Sequence, residues 1–98
     1  MVIRILNHVP HGYSAHEGNV IANVLQKTLN GSDEPVEVSF KGVSDVPSSF
    51  INAALVSLLD TYSFEWVKSH VAFTDVTQQV ADMIRRCLIN GARAKGQV

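Results

Sequence analysis

Two adjacent hydroxyls, Ser48 and Ser49, stand at the head of an apolar run, FINAALVSLL, with Pro47 before them and Asp45 three positions ahead of Ser48. A serine within reach of a carboxylate and an imidazole is the raw material of nucleophilic hydrolysis, and His8 and His11 supply imidazoles from nearer the start of the chain. A small-ligand sensor or hydrolase built on the loop histidines, Asp45 and Ser48 is therefore one reading. The surrounding residues argue against catalysis. No nucleophile elbow flanks Ser48, and Gly12, Gly18, Gly31 and Gly42 form neither a phosphate-binding loop nor a dinucleotide fingerprint. His8, His11 and His16 have the ligand type of a three-histidine zinc site. Their places at a strand end, in a Pro/Gly loop and in a first helical turn do not make them converge, and no HExxH pattern supports them. The expectation is a non-catalytic protein with no metal and no cofactor. Cys87, on the apolar side of a predicted helix, reads as a small core hydrophobe.

The elements that position Ser48 and Ser49 are legible in the hydropathy pattern. Val36, Val38 and Phe40 alternate with Glu37 and Ser39, the period-two signal of a strand with one buried face, and the apolar run after Pro47 predicts a helix over 48–61. The two hydroxyls thus fall where a strand ends and a helix begins. In an open α/β sheet, ligands and partners gather at that edge, because helix N-termini there present unpaired N–H groups. The competing account is that one serine merely caps the helix.

Upstream, Val2–His8 reads as a first strand ended by Pro10 and Gly12, and Ser14-x-x-Glu17 is a capping box for a helix over 14–30. Its core face is Ile21, Val24, Leu25, Thr28 and Leu29, and Asn30-Gly31 predicts a left-handed stop before a polar turn over Ser32–Pro35. Downstream, Val67, Val71 and Phe73 mark a third strand with Lys68, His70 and Ala72 on its other face. Asp75-x-x-Gln78 predicts the cap of a last helix over 76–90, striped by Val80, Met83, Ile84, Cys87 and Leu88 and closed by Asn90-Gly91. Tyr62, Phe64 and Trp66 read as an aromatic turn folded over the core rather than as a recognition patch.

The result is a single α/β domain over 1–92 with a flexible tail over 93–98. Its order is β-α-β-α-β-α, its sheet mainly parallel, and its helices lie mostly on one face, because Arg4, Glu37, Ser39, Lys68 and His70 leave the other face polar. A sheet this small has free edges, which points to a homodimer or a partner strand.

Composition narrows the function. A chain of 98 residues buries roughly 60–65% of its unfolded surface, enough for one core without disulfide or metal. A net charge of −1 and a pI near 6.4, with dispersed Lys and Arg, give no basic footprint for nucleic acid. The start MVIRILNHVP is too short an apolar run for a signal peptide, and nothing approaches a membrane span, so a cytoplasmic protein is expected.

Phe40-Lys41-Gly42-Val43, then Pro47-Ser48-Ser49-Phe50 at a helix start, then Val71-Ala72-Phe73-Thr74-Asp75-Val76 with Val80 and Ile84, together resemble the STAS-like domains over roughly residues 14–92. These are relatives of the sulfate-transporter and anti-sigma-factor-antagonist domains, and the likeness is to a bacterial branch. The resemblance implies a regulatory, protein-binding module that switches partners, among them kinase-like ATPases or other signalling proteins. It implies a partner surface at Asp45, Val46, Pro47, Ser48, Ser49 and Asn52, with Ser48 or Ser49 as phosphoacceptor. The chain departs from those regulators in having Pro47 where they carry an acidic residue, and Phe50-Ile51-Asn52 where they carry Gly-Leu-Gly. A further reading is an inhibitor or adaptor protein encoded by a mobile element.

Overall fold

A computed structural model describes residues 1–10, 14–31, 34–43 and 45–96. His11, Gly12 and Ser32, each assigned a place above, lie outside the described residues, as do 97 and 98 of the expected tail. The elements are β1 (Val2–Arg4), α1 (Ala15–Asn30), β2 (Val36–Ser39), α2 (Ser48–Ala54), α3 (Phe64–His70), β3 (Val71–Thr74) and α4 (Gln78–Ala94), with short 3-10 segments at Ile5–Asn7 and Val56–Asp60.

The sheet is all parallel in the order β1-β2-β3. Ile3 aligns with Val38, which aligns with Phe73, and Arg4 aligns with Ser39, which aligns with Thr74. Alternation therefore sends Ile3, Val36, Val38, Val71 and Phe73 to one face and Val2, Arg4, Glu37, Ser39, Ala72 and Thr74 to the other. The hydrophobic core draws only on the first set, joined by Ile21, Leu25, Phe50, Ile51, Leu55, Val67, Val80, Ile84 and others from the helices. The helices cover that face. Apart from the buried Ser39 the opposite face is open to solvent, with Thr74 Oγ1 donating to Glu37 Oε2 at 3.2 Å across it.

Helix α1 opens as the capping box predicts: Ser14 Oγ accepts from the Glu17 N–H at 3.2 Å and donates to the Glu17 carboxylate. Gly18 is buried against α2. A Cβ there would stand 2.6 Å from the Phe50 carbonyl oxygen and 2.8 Å from the Ala53 Cβ, so its absence lets the two helices approach. Gly31 follows α1 at φ −87°, not in the left-handed conformation expected of it.

Helix α2 is the central element. Phe50, Ile51, Ala54, Leu55, Leu58 and Leu59 are all buried, which explains why no amphipathic stripe is visible in this run. The helix expected over 48–61 changes at Leu55 into the 3-10 segment Val56–Asp60.

Four other expectations are corrected. The first strand stops at Arg4, where the backbone bonds locally instead of along the sheet: the N–H groups of His8 and Val9 bond to the Ile5 carbonyl at 3.0 and 3.2 Å, and the turn keeps Ile5 and Val9 both buried. Residues 64–70, given above in part to the third strand, form α3. Ser63 caps it by accepting from the Trp66 N–H at 3.1 Å, and Tyr62, Trp66 and His70, spaced by four, stack with ring centroids 4.1 and 4.0 Å apart. The last helix is capped by Thr77, whose Oγ1 accepts from the Val80 N–H at 3.1 Å, and not by Asp75. It also runs through Gly91 to Ala94. Gly91 is a contact point rather than a stop, since a Cβ there would collide with Val56 Cγ1. Just beyond, Lys95 pairs with Asp60.

Candidate functional site

Strand β2 delivers the chain to its carboxyl end at Phe40, where a Lys41-Gly42 turn is closed by the Val43 N–H donating to the Phe40 carbonyl at 2.8 Å. Val43 and Val46 then turn inward, at 6% and 4% exposure. Val46 therefore anchors the loop from below and is not part of its outer surface. Asp45, Pro47, Ser48, Ser49 and Asn52 are exposed and share this end of the molecule.

Pro47, extended at ψ 159°, is the N-cap of α2, and its carbonyl accepts from the N–H groups of Phe50 and Ile51 at 3.1 and 3.4 Å. A proline has no side-chain acceptor, so the cap carries no side-chain hydrogen bond. Ser48 and Ser49 occupy the first turn instead. Among the described residues neither hydroxyl takes part in a hydrogen bond, so capping does not account for either serine. Phe50, Ile51 and Ala54, the buried side of α2, anchor the helix in the core while Ser48 and Ser49 stay exposed.

Beneath this loop the ends of β2 and β3 are tied by a polar contact that the sequence did not disclose. Ser39, 2% exposed, donates from Oγ to Asp75 Oδ2 at 2.6 Å and accepts from the Lys41 N–H at 3.3 Å. Asp75 sits at φ 56°, a left-handed conformation that aspartate tolerates better than most residues. Its position resembles that of a helix cap, and its partner lies 36 residues away, so only the alignment of β2 with β3 reveals the pair.

The other candidates do not assemble. His8 and His16 are exposed on separate elements, and among the described residues no hydrogen bond joins His8, Asp45 and Ser48. Nor do the described residues hold a group of three or more His, Cys, Asp or Glu placed to bind a metal ion. Cys87 is half-buried on α4; burial pushes its thiol up from the ordinary value, outweighing the downward pull of Arg86, so it is a poor nucleophile at neutral pH. No helix among the described residues is long and apolar enough to cross a membrane.

No curated protein and no solved structure matches the chain. Residues 17–81, more than half of the chain, match the family model described as STAS-like domain of unknown function (DUF4325). The matched segment runs from the first turn of α1 to the first turn of α4 and contains β2, the exposed loop and α2 entire. With its parallel sheet and helices on one face, the chain belongs to this STAS-like family.

Proposed function

We propose that the chain is a non-catalytic regulatory module whose protein partner docks on the surface formed by Asp45, Pro47, Ser48, Ser49 and Asn52, with Ser48 or Ser49 as the phosphoacceptor that controls docking. The observation that carries this reading is the pair of serine hydroxyls, exposed and not engaged in capping, on the first turn of a helix anchored in the core by Phe50, Ile51 and Ala54. A surface so arranged is cheap to modify and rigid enough to recognise. A phosphate there adds close to two negative charges, which an apolar or acidic partner surface rejects. The family likeness makes a kinase-like ATPase or another signalling protein the partner class, in a cytoplasmic, bacterial setting. The edges of β1 and β3, with no further strand beside them among the described residues, favour a homodimer as an additional assembly.

The test is site-specific photo-crosslinking, with benzoylphenylalanine placed at Asn52 and, as control, at Ala72 on the solvated sheet face. The reading expects a defined protein adduct from position 52 that is lost when Ser48 is phosphorylated. An adduct from position 72 alone moves the interface to the sheet and refutes it.

A further inference from the structure

On the far side of the molecule from β1, α3, β3 and α4 enclose an open groove of about 600 Å³. Its floor is apolar, made by Phe64, Phe73, Val76 and Ile89 over the buried Ile84 and Leu88. Its rims are cationic: Lys68 stands on the α3 wall, with Nζ 5.5 Å from the Phe64 ring centroid, and Arg85 and Arg93 stand on the α4 wall. Three of the eight Lys and Arg of a chain with net charge −1 are thus gathered here, and no Asp or Glu is among the described residues lining the groove. Asp82 holds Arg85 in an exposed pair at 2.7 Å, which leaves the guanidinium further donors.

We propose that this groove is a second docking site and takes an acid-flanked amphipathic helix of a partner protein. The spread of the charges selects this occupant. Arg85, Ile89 and Arg93 follow one another at four-residue spacing, which puts the two arginines about 12 Å apart along α4. Lys68 faces them from the opposite wall. One carboxylate, as on a fatty acid, cannot meet all three cations, whereas a helix lying along α4 can fill the floor with residues at i, i+3, i+4 and i+7 and present carboxylates on both flanks. An anionic membrane is disfavoured by shape, because the apolar residues form a recess and do not protrude.

The probe is a fluorescein-labelled peptide of about 14 residues, long enough to form helix on binding, with Leu at i, i+3, i+4 and i+7 and Glu on both flanks. A second peptide with Lys in place of Glu, oleate, and phosphatidylglycerol vesicles complete the set. Fluorescence anisotropy should show saturable binding of the Glu peptide only, weakening with salt and falling by about tenfold or more in the Lys68→Glu/Arg93→Glu double variant. Amide shifts in the NMR spectrum should map to 64–74 and 81–93. Because both substituted residues are exposed, an unchanged circular dichroism spectrum confirms that the variant is folded. Failure of the Glu peptide to bind, equal binding by the double variant, or shifts confined to 45–52 overturns the proposal. Oleate or vesicles displacing the peptide's preference, so that they bind and it does not, overturns the choice of occupant.

Discussion

Replacing Gly18 by alanine isolates the contact that holds α2, and with it Ser48 and Ser49, in place. Glycine in a helix interior is about 1 kcal/mol worse than alanine, so on propensity alone Gly18→Ala stabilises α1. The packing reverses the sign. The added methyl would lie 2.6 Å from the Phe50 carbonyl oxygen, 2.8 Å from the Ala53 Cβ and 3.2 Å from the Ala54 N, and none of these is the end of a flexible side chain that could swing aside. Overpacking of this kind costs about 1–3 kcal/mol, and with backbone as the obstacle the upper part of that range applies. The net expectation is a loss of about 1–2 kcal/mol, a fall in Tm of roughly 5–15 °C for a domain of this size. Gly31→Ala is the matched control: at φ −87°, with the nearest atom at 3.5 Å, the new methyl fits, and stability should hold or rise slightly. Urea denaturation followed by circular dichroism measures both. A Gly18→Ala protein as stable as the wild type would show that α1 and α2 are not in the close contact described.

Leu55, 1% exposed within the central cluster, should cost about 2–5 kcal/mol when cut to alanine, and a loss below about half a kcal/mol in the same denaturation assay would place it outside the core. Ser39→Ala leaves the Lys41 N–H and the Asp75 carboxylate without their shared partner, with an expected loss of about 1–2 kcal/mol; a neutral result would deny that the contact ties β2 to β3. The upward shift of the Cys87 thiol implies that iodoacetamide reacts more slowly than with a free cysteine at neutral pH and accelerates only as the pH passes the raised value. Fast labelling of the folded protein at pH 7 would contradict that.

Local signals carried the elements whose determinants sit close together in sequence. The Ser14/Glu17 box starts α1 as read, and the Val36, Val38, Phe40 alternation places β2 with its apolar side inward. Where two periods fit the same residues, sequence alone misled. Val67 and Val71 are four apart, which suits one helix face and one strand face alike, and the deciding interactions are the Ser63 cap and the Tyr62, Trp66 and His70 stack. Ile5 and Val9 posed the same ambiguity. Asp75 illustrates a different limit, since its carboxylate is claimed by Ser39 from another strand before it can cap α4. At the candidate site the exposed loop was legible because polar residues interrupt two apolar runs. The inward turn of Val46 was hidden by its short, polar neighbourhood. The groove between α3, β3 and α4 had no sequence signature, because Phe64, Phe73 and Ile89 meet only through the fold.

The most direct test of the central claim is titration calorimetry of the crosslinked partner, once purified, against wild-type protein and the Ser48→Asp variant. Ser48 lies in the first turn of α2 and is exposed, so an acidic replacement agrees with the helix dipole and should change folding stability by less than about 1 kcal/mol. Desolvating the new carboxylate at the interface should nevertheless weaken association by several kcal/mol, on the order of a hundredfold or more in Kd. That separation of binding from folding is the predicted result. Equal affinity for the two proteins, with the fold intact, would contradict the account and remove the loop 45–52 from the interface.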